Sequence, residues 1–386
     1  MLKKIVNKNR DYIIKMRREF HEFPEPSFQE FRTSQRIQEE LESMGIPYKV
    51  AARTGVVATI NGKAPGKTIA LRADIDALQV TECNTVDYTS KNIGIMHACG
   101  HDGHAAMLLG AAKSLNEIKD LISGTIKLYF QPAEEIGAGA LKMLEEEPLD
   151  NVDGCFAIHL WSDLPCGKVS VEGGPRMASA DIFKITIDGK GGHGSLPHQT
   201  IDAVVVGSAV VMNLQSIVSR ELSPLESNVV TVGSFHSGTR FNVIANQAIL
   251  EGTTRTFNLE TRENFKNILE RVTNGTCDSY RATGKVEYTY GTAPSINDYK
   301  CSELAEKTVE NLLGKDGVAK MEKITGGEDF CYFLQQVPGV LAFVGARNEE
   351  KEACYPHHHE KFNIDEDALE IGATLYAQFA LDFLNN

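Results

Sequence analysis

The run Met96-His97-Ala98-Cys99-Gly100-His101-Asp102-Gly103-His104 places three histidines, a cysteine and an aspartate within nine residues, and a long apolar stretch follows. Burying so many soft and borderline donors without a partner is costly, and their joint chemistry is metal ligation or nucleophilic catalysis. In Cys99-Gly100-His101 a thiolate and an imidazole can reach one site or two adjacent ions, with glycine relaxing the backbone between them. The acid pair Glu134-Glu135, the isolated His159 and the cluster His357-His358-His359 favour metal. Two adjacent carboxylates can divide labour, one binding a cation while the other holds a proton.

Each segment also has an ordinary explanation when taken alone. Cys99 could be a buried structural cysteine, or a nucleophile with His97 or His104 as its base. Glu134 and Glu135 could sit at a helix N-terminus, where the dipole favours acids. His159, within the apolar Ala157-Ile158-His159-Leu160-Trp161, could be a satisfied core residue, and the histidine cluster a surface loop. The glycines around His193 fit a hairpin turn as well as close approach to a ligand. Gly326-Gly327-Glu328-Asp329-Phe330 could line a site or cap a helix. Asn242 is ambiguous, and Arg255 would suit a carboxylate in a cleft. One dinuclear centre explains most of these segments together. Cys99, His101, Glu135, His159 and His358 would supply its ligands and Glu134 a free base. Two ions about 4 Å apart can activate one water and polarise a carbonyl.

These residues need a scaffold that delivers them to one place. Apolar, β-branched runs at 54–60, 68–72, 125–130 and 155–159 alternate with helical patterns at 1–20, 28–44, 101–115 and 139–147. This alternation predicts an α/β domain with a central, largely parallel sheet. Asp74 and Asp76, Glu134 and Glu135, and His159 then fall at the carboxyl ends of three strands, where open α/β sheets bind ligands. From about Ser179 the pattern becomes strand 181–187, helix 200–220, strands 228–234 and 247–257, helix 260–282 and strand 285–290, a β-α-β-β-α-β order. This predicts an inserted ferredoxin-like α+β domain at 179–290, flanked by a catalytic domain made of 1–178 and 291–386. The α/β pattern then resumes with helices at 302–313 and 365–383 around strand 340–345.

The length of 386 residues accommodates two domains. A net charge of −13 argues against nucleic acid or anionic membrane as the main partner. Eight cysteines without regular spacing, a basic N-terminus lacking an apolar core and no long uninterrupted apolar run give the expectation of a cytoplasmic protein with reduced thiols.

The ordered set Arg17 to Glu25, Leu71 to Leu78, Met96 to His104, Gln131 to Glu135, Ala157 to Trp161, Gly189 to Gly194, Gly326 to Phe330 and His358 to Phe362 resembles the M20 metallopeptidase family. It is most similar to the branch of N-acyl-amino-acid amidohydrolases, hippurate hydrolases, N-acetyldiaminopimelate deacetylases and auxin-conjugate hydrolases. The resemblance implies a zinc-exopeptidase-like catalytic domain and an inserted lid that often mediates dimerisation, hence a homodimer or higher homo-oligomer. It implies two divalent metals on Cys99, His101, Glu135, His159 and His358, with Glu134 as general base. His193, Asn242 and Arg255 match positions that recognise substrate or stabilise the oxyanion, and in parts of the family the histidine comes from the partner subunit. Many relatives carry His-x-Asp where this chain has Asp74-Ile75-Asp76. Asp76 matches the retained aspartate that supports the centre, Cys99 compensates for the missing histidine, and Asp74 has no assigned role. The expected reaction is hydrolysis of the amide of an N-acetyl, N-benzoyl or aryl-acyl amino acid. The thiolate favours zinc, with manganese next and cobalt or nickel further candidates. The alternatives are a dipeptidase or carboxypeptidase on the same fold, a Cys99-nucleophile hydrolase, or a non-catalytic metal-binding protein.

Overall fold

Four parallel strands form the middle of a seven-stranded sheet in the computed structural model, which describes residues 2–386. The order across the sheet is Tyr48–Ala51, Gly55–Asn61, Ser123–Gln131, Ala64–Asp74, Gly154–Pro165, Gly339–Arg347 and Val169–Ser170. The pairings of Ala64–Asp74 with Ser123–Gln131 and with Gly154–Pro165, and of the latter with Gly339–Arg347, are parallel. Gly55–Asn61 and the two outermost strands run antiparallel to their neighbours. The chain is therefore a mixed α/β protein with a mostly parallel sheet. Residues of the central strands are buried on both faces, which explains why they read as continuous apolar runs instead of alternating ones.

Helix His101–Glu117 is buried along almost its whole length. It starts after Gly100, whose φ of +90° is accessible to glycine without penalty. A Cβ on Gly103 would lie 2.5 Å from Leu160 Cδ1, so this glycine lets the helix approach the strand that carries His159. The expected amino-terminal helix is two helices, Leu2–Lys8 and Arg10–Glu22; Met1 lies outside the described residues. The break falls at Asn9, whose ψ of 6° leaves the helical range while its side chain donates to Ser114 Oγ.

The chain divides into two compact units. The first comprises 1–174, 296–322 and 329–386 and contains the seven-stranded sheet. The second comprises 175–295 and the short return segment 323–328. It has a four-stranded antiparallel sheet in the order Asn228–Ser237, Gln247–Thr256, Ala180–Asp188, Thr283–Thr292. Helices Ala203–Ser216 and Leu259–Ser279 share a core with this sheet through Val206, Val210, Leu214, Phe265 and Leu269. This is the ferredoxin-like arrangement of two split β-α-β halves.

A buried ionic cluster fixes the start of the His101–Glu117 helix. Arg17 Nε donates to Asp102 Oδ2 at 2.8 Å, and both side chains are fully buried. His21 bridges Asp102 at 2.7 Å and Glu82 at 3.1 Å. Burial alone would raise the Asp102 carboxyl, but Arg17 and His21 hold it far below the usual carboxylate range. Removing Arg17 would leave this carboxylate with an incomplete set of partners. Arg17→Met should therefore destabilise the protein by ~3–5 kcal/mol in urea unfolding. A loss of about 1 kcal/mol or less, the scale of an ordinary surface substitution, would show the cluster to be dispensable.

Candidate metal centre

The site lies where two parallel strands separate. Pairing of Ala64–Asp74 with Gly154–Pro165 ends at Arg72 opposite Ala157, and His159 is two residues further on. Tyr376 braces the split: its hydroxyl donates to Arg72 O at 2.6 Å and accepts from the Ile158 N–H at 3.0 Å.

Asp76 gathers the donors. It is buried, and its Oδ1 accepts from His101 Nδ1 at 3.2 Å and from the Glu134 N–H at 3.1 Å. Its Oδ2 accepts from the Glu135 N–H at 3.1 Å and from Ser27 Oγ at 2.7 Å. The bond from Nδ1 leaves His101 Nε2 free, 3.7 Å from Glu135 Oε1 and 4.0 Å from Glu134 Oε2. His101 Nε2 and Glu135 Oε1 are both buried without a hydrogen-bond partner. Two orphaned lone-pair atoms that face each other are expected of a cation site and costly otherwise.

The other donors converge beside them. His159 Nδ1 donates to Leu160 O at 2.7 Å, which leaves Nε2 facing Cys99 Sγ at 3.6 Å. Cys99, Glu135 and His358 each bring a ligand atom to within 4.8 Å of one another, as do His101, Glu134 and Glu135. Glu135 belongs to both groups. All five expected ligands, with Glu134, thus lie in one cluster. His358 takes a left-handed φ of 66°, and its N–H is anchored on Ala98 O at 2.8 Å.

Hydrogen bonding separates ligand candidates from braces. Leu160 N–H donates to His104 Nε2 at 2.8 Å, so His104 carries its proton on Nδ1 and gives it to Asp74 Oδ1 at 2.5 Å. Both nitrogens are occupied, although His104 groups with Asp74 and His101 by distance. His357 is occupied likewise: Nε2 donates to Leu160 O and Nδ1 accepts from Ser162 Oγ, each at 3.0 Å. Asp74, which the sequence left without a role, is a strut: it joins His104 to Arg72 Nη1 at 2.7 Å. Arg72 also donates to Gln131 and Asp329, both at 2.8 Å. Asp329 belongs to the Gly-Gly-Glu-Asp-Phe segment that the sequence singled out.

The sequence reading missed His104, Arg72, Ser27 and Glu30 as site supports. The spacing of His104 from His101, three residues along one helix, was the only signal that could have found any of them. His97 is one of the two candidate bases for Cys99 in the sequence. It is buried with neither ring nitrogen hydrogen-bonded, and burial lowers it to about 4. Burial and the Glu135 charge push the Cys99 thiol well above its ordinary value, the opposite of an activated nucleophile.

In the second unit, strand Gly192–His193 pairs with Val243–Ile244, and Gly194 N–H donates to Asn242 O at 2.9 Å. His193 and Asn242 are therefore neighbours, and both are exposed. His193 Nδ1 accepts from the Ser195 N–H at 3.2 Å, which places its proton on Nε2. Arg255 lies on the separate four-stranded sheet, opposite Val229, and its Nη1 donates to Thr254 O at 2.9 Å and to Thr253 Oγ1.

Residues 70–382 match the family model described as Peptidase family M20/M25/M40. The chain is 42% identical over 389 residues to thermostable carboxypeptidase 2 of Saccharolobus solfataricus, spanning 100% of this chain and 98% of that protein. It is 39% identical over 374 residues to an N-acetylcysteine deacetylase of Bacillus subtilis, covering 96% of each. Among solved structures, the Bacillus subtilis YXEP protein, described as a dinuclear metal binding peptidase from M20 family, superposes with a TM-score of 0.87. The two are 35% identical, over 98% of this chain and 99% of that one.

Burial pushes Glu135 up to about 7 and Cys99 well above its usual range. Burial alone would lower His101, but Asp74 and its other neighbours raise it well above normal. A cation must displace these protons, so lowering their concentration favours binding. Zinc affinity of chelator-stripped protein should rise steeply as pH increases through about 7, with proton release visible in calorimetry across buffers of different ionisation enthalpy. A pH-independent affinity would argue against these ligands.

Proposed function

The chain belongs to peptidase family M20/M25/M40 and is a hydrolytic enzyme, and on that premise we propose that it cleaves the amide bond of N-acyl amino acids, giving a carboxylic acid and a free amino acid. The observation that carries this reading is the acid pair. Glu135 shares its surroundings with Cys99, His101 and His358, while Glu134 reaches the same cluster through His101, which suits it to proton transfer there. The similarity to an N-acetylcysteine deacetylase supports the acyl-amino-acid class.

Cys99, His101, Glu135, His159 and His358 would hold two divalent cations, zinc or manganese before cobalt or nickel. The buried orphan atoms and the mixed thiolate, imidazole and carboxylate donors fit such ions. Bound there, the cations would polarise the scissile carbonyl and make an attacking water acidic. Glu134 takes the proton of that water and passes it to the leaving nitrogen. Asp76 fixes the His101 tautomer and aims its Nε2 at the acid pair. His193, with its proton on Nε2, donates to the developing oxyanion, a contact that can supply roughly 3–4 kcal/mol. Arg255 and Asn242 hold the α-carboxylate of the leaving amino acid. The 42% identity to a carboxypeptidase favours a second reading, in which the acyl group is itself an amino acid or peptide.

We further propose that two copies associate through the inserted unit. The helical stretch Ala203–Glu221 is long and apolar enough to cross a membrane by length and composition, with a mean hydropathy of 1.4. One side of it packs on its own sheet through Val206, Val210 and Leu214. The outward side exposes Val204, Val205 and Met212, the last by 70%. Strand Asn228–Ser237 is the neighbouring open sheet edge and carries exposed Val229 and Phe235. A second copy of this surface would cover it.

Metal-stripped protein should recover amine release from N-acyl amino acids when zinc or manganese is restored, in preference to dipeptides. The reverse order would move the assignment to the peptidase reading. Glu134→Gln should retain metal and lose about 10²–10⁴-fold in kcat, and near-normal turnover would remove Glu134 as the base. Met212→Glu should halve the mass seen by light scattering. An unchanged mass would place the subunit contact elsewhere, or show that there is none.

A further inference from the structure

We infer that Glu30 is a positioning residue that sets the geometry of the acid pair. It lies on neither the helix nor the strands that carry the donors, and it is fully buried. No cation pairs with it among the described residues; its carboxylate is instead taken up by three donors. Oε1 accepts from the Phe28 N–H at 2.9 Å and from the Ala133 N–H at 3.0 Å. Oε2 accepts from Thr54 Oγ1 at 2.6 Å.

The two backbone donors share an uncommon conformation. Phe28 has φ 58° and Ala133 φ 55°, in the left-handed region that side chains other than glycine rarely adopt. Such conformations persist where the surroundings over-determine them. Each stands one residue from a group that donates to Asp76: Ser27 precedes Phe28, and Glu134 follows Ala133. One carboxylate oxygen therefore fixes both backbone turns that close around Asp76. From the other side, Gly139 admits the same loop, since a Cβ there would lie 1.6 Å from Pro132 O. Held in this way, Glu134 and Glu135 present their N–H groups to Asp76 and their carboxylates to His101. Without Glu30, the Ala133 N–H would be buried and unpaired and the half-buried Phe28 N–H would lose its partner, and the turns could relax to ordinary backbone angles.

The inference rests on Glu135 and His101 being metal ligands, so the experiment tests both layers. Metal-stripped full-length variants would be titrated with zinc and with manganese against a chromophoric chelator, and kcat and KM measured on the reloaded proteins. Outer partners of ligands typically contribute 10–100-fold in metal affinity or activity. Glu30→Ala should weaken metal binding within that range and lower kcat more than it changes KM. Glu30→Gln keeps an oxygen toward Phe28 and Ala133 and offers its amide to Thr54, so it should restore both to within about threefold of the parent, well short of that loss. Folded Glu30→Ala protein with parental metal affinity and kcat overturns the inference, even if its thermal midpoint falls. Glu30→Gln protein as impaired as Glu30→Ala also overturns it. Should Glu30→Ala fail to fold, Thr54→Val, which removes one donor from the carboxylate, decides: unchanged metal affinity overturns the inference. Glu135→Ala is the control on the underlying reading. Parental metal binding there would remove Glu135 as a ligand, whereas loss there with parental binding in Glu30→Ala would refute the role of Glu30 alone.

Discussion

The site depends on a single carboxylate with all its bonds used. Asp76 accepts from Ser27, His101, Glu134 and Glu135, four donors from three separate stretches of chain. A carboxylate offers about four acceptor positions, so each bond constrains the others. Turning His101 would break its bond to the oxygen that also holds Glu134. Moving the acid pair would take one bond from each oxygen. The order of this region follows from the cost of leaving any member of a buried polar network unpaired.

The same saturation decides which of many histidines can do chemistry. His101 and His159 each commit Nδ1 to an oxygen acceptor and keep Nε2 for the site. His104, buried, and His357, half-buried, lie close by and use both nitrogens in bracing. Leu160 links the two classes. Its N–H goes to His104, while its carbonyl receives His159 and His357. The braces thus hold the peptide against which His159 is oriented, which proximity alone does not reveal.

Much of the architecture was legible in the sequence because parallel strands buried on both faces must be apolar throughout, and the strands of a half-exposed sheet must alternate. Strands Ala64–Asp74 and Gly339–Arg347 follow the first pattern and Ala180–Asp188 the second. The break at Asn9 was not legible, since Asn9 leaves the helix for a partner, Ser114, far along the chain. Nor was the return of 323–328 to the second unit, because no local pattern records which core a loop joins. In the site, the density of donors around Cys99 and the pairing of Glu134 with Glu135 were visible as residue types. Glu30 carried no signal: in sequence it is one acid among many, and only burial distinguishes it.

The sequence alone determined the kinds of donor present, their order at strand ends and the element patterns of one α/β and one α+β unit. Those properties follow from local periodicity and side-chain chemistry. Only the tertiary structure decided which histidine nitrogens are hydrogen-bonded, that Asp74 joins His104 to Arg72, and that Glu30 accepts from two left-handed turns beside Asp76. These depend on bonds between residues tens to hundreds of positions apart. Whether a polar atom is spent or available is settled only when the chain has closed around it.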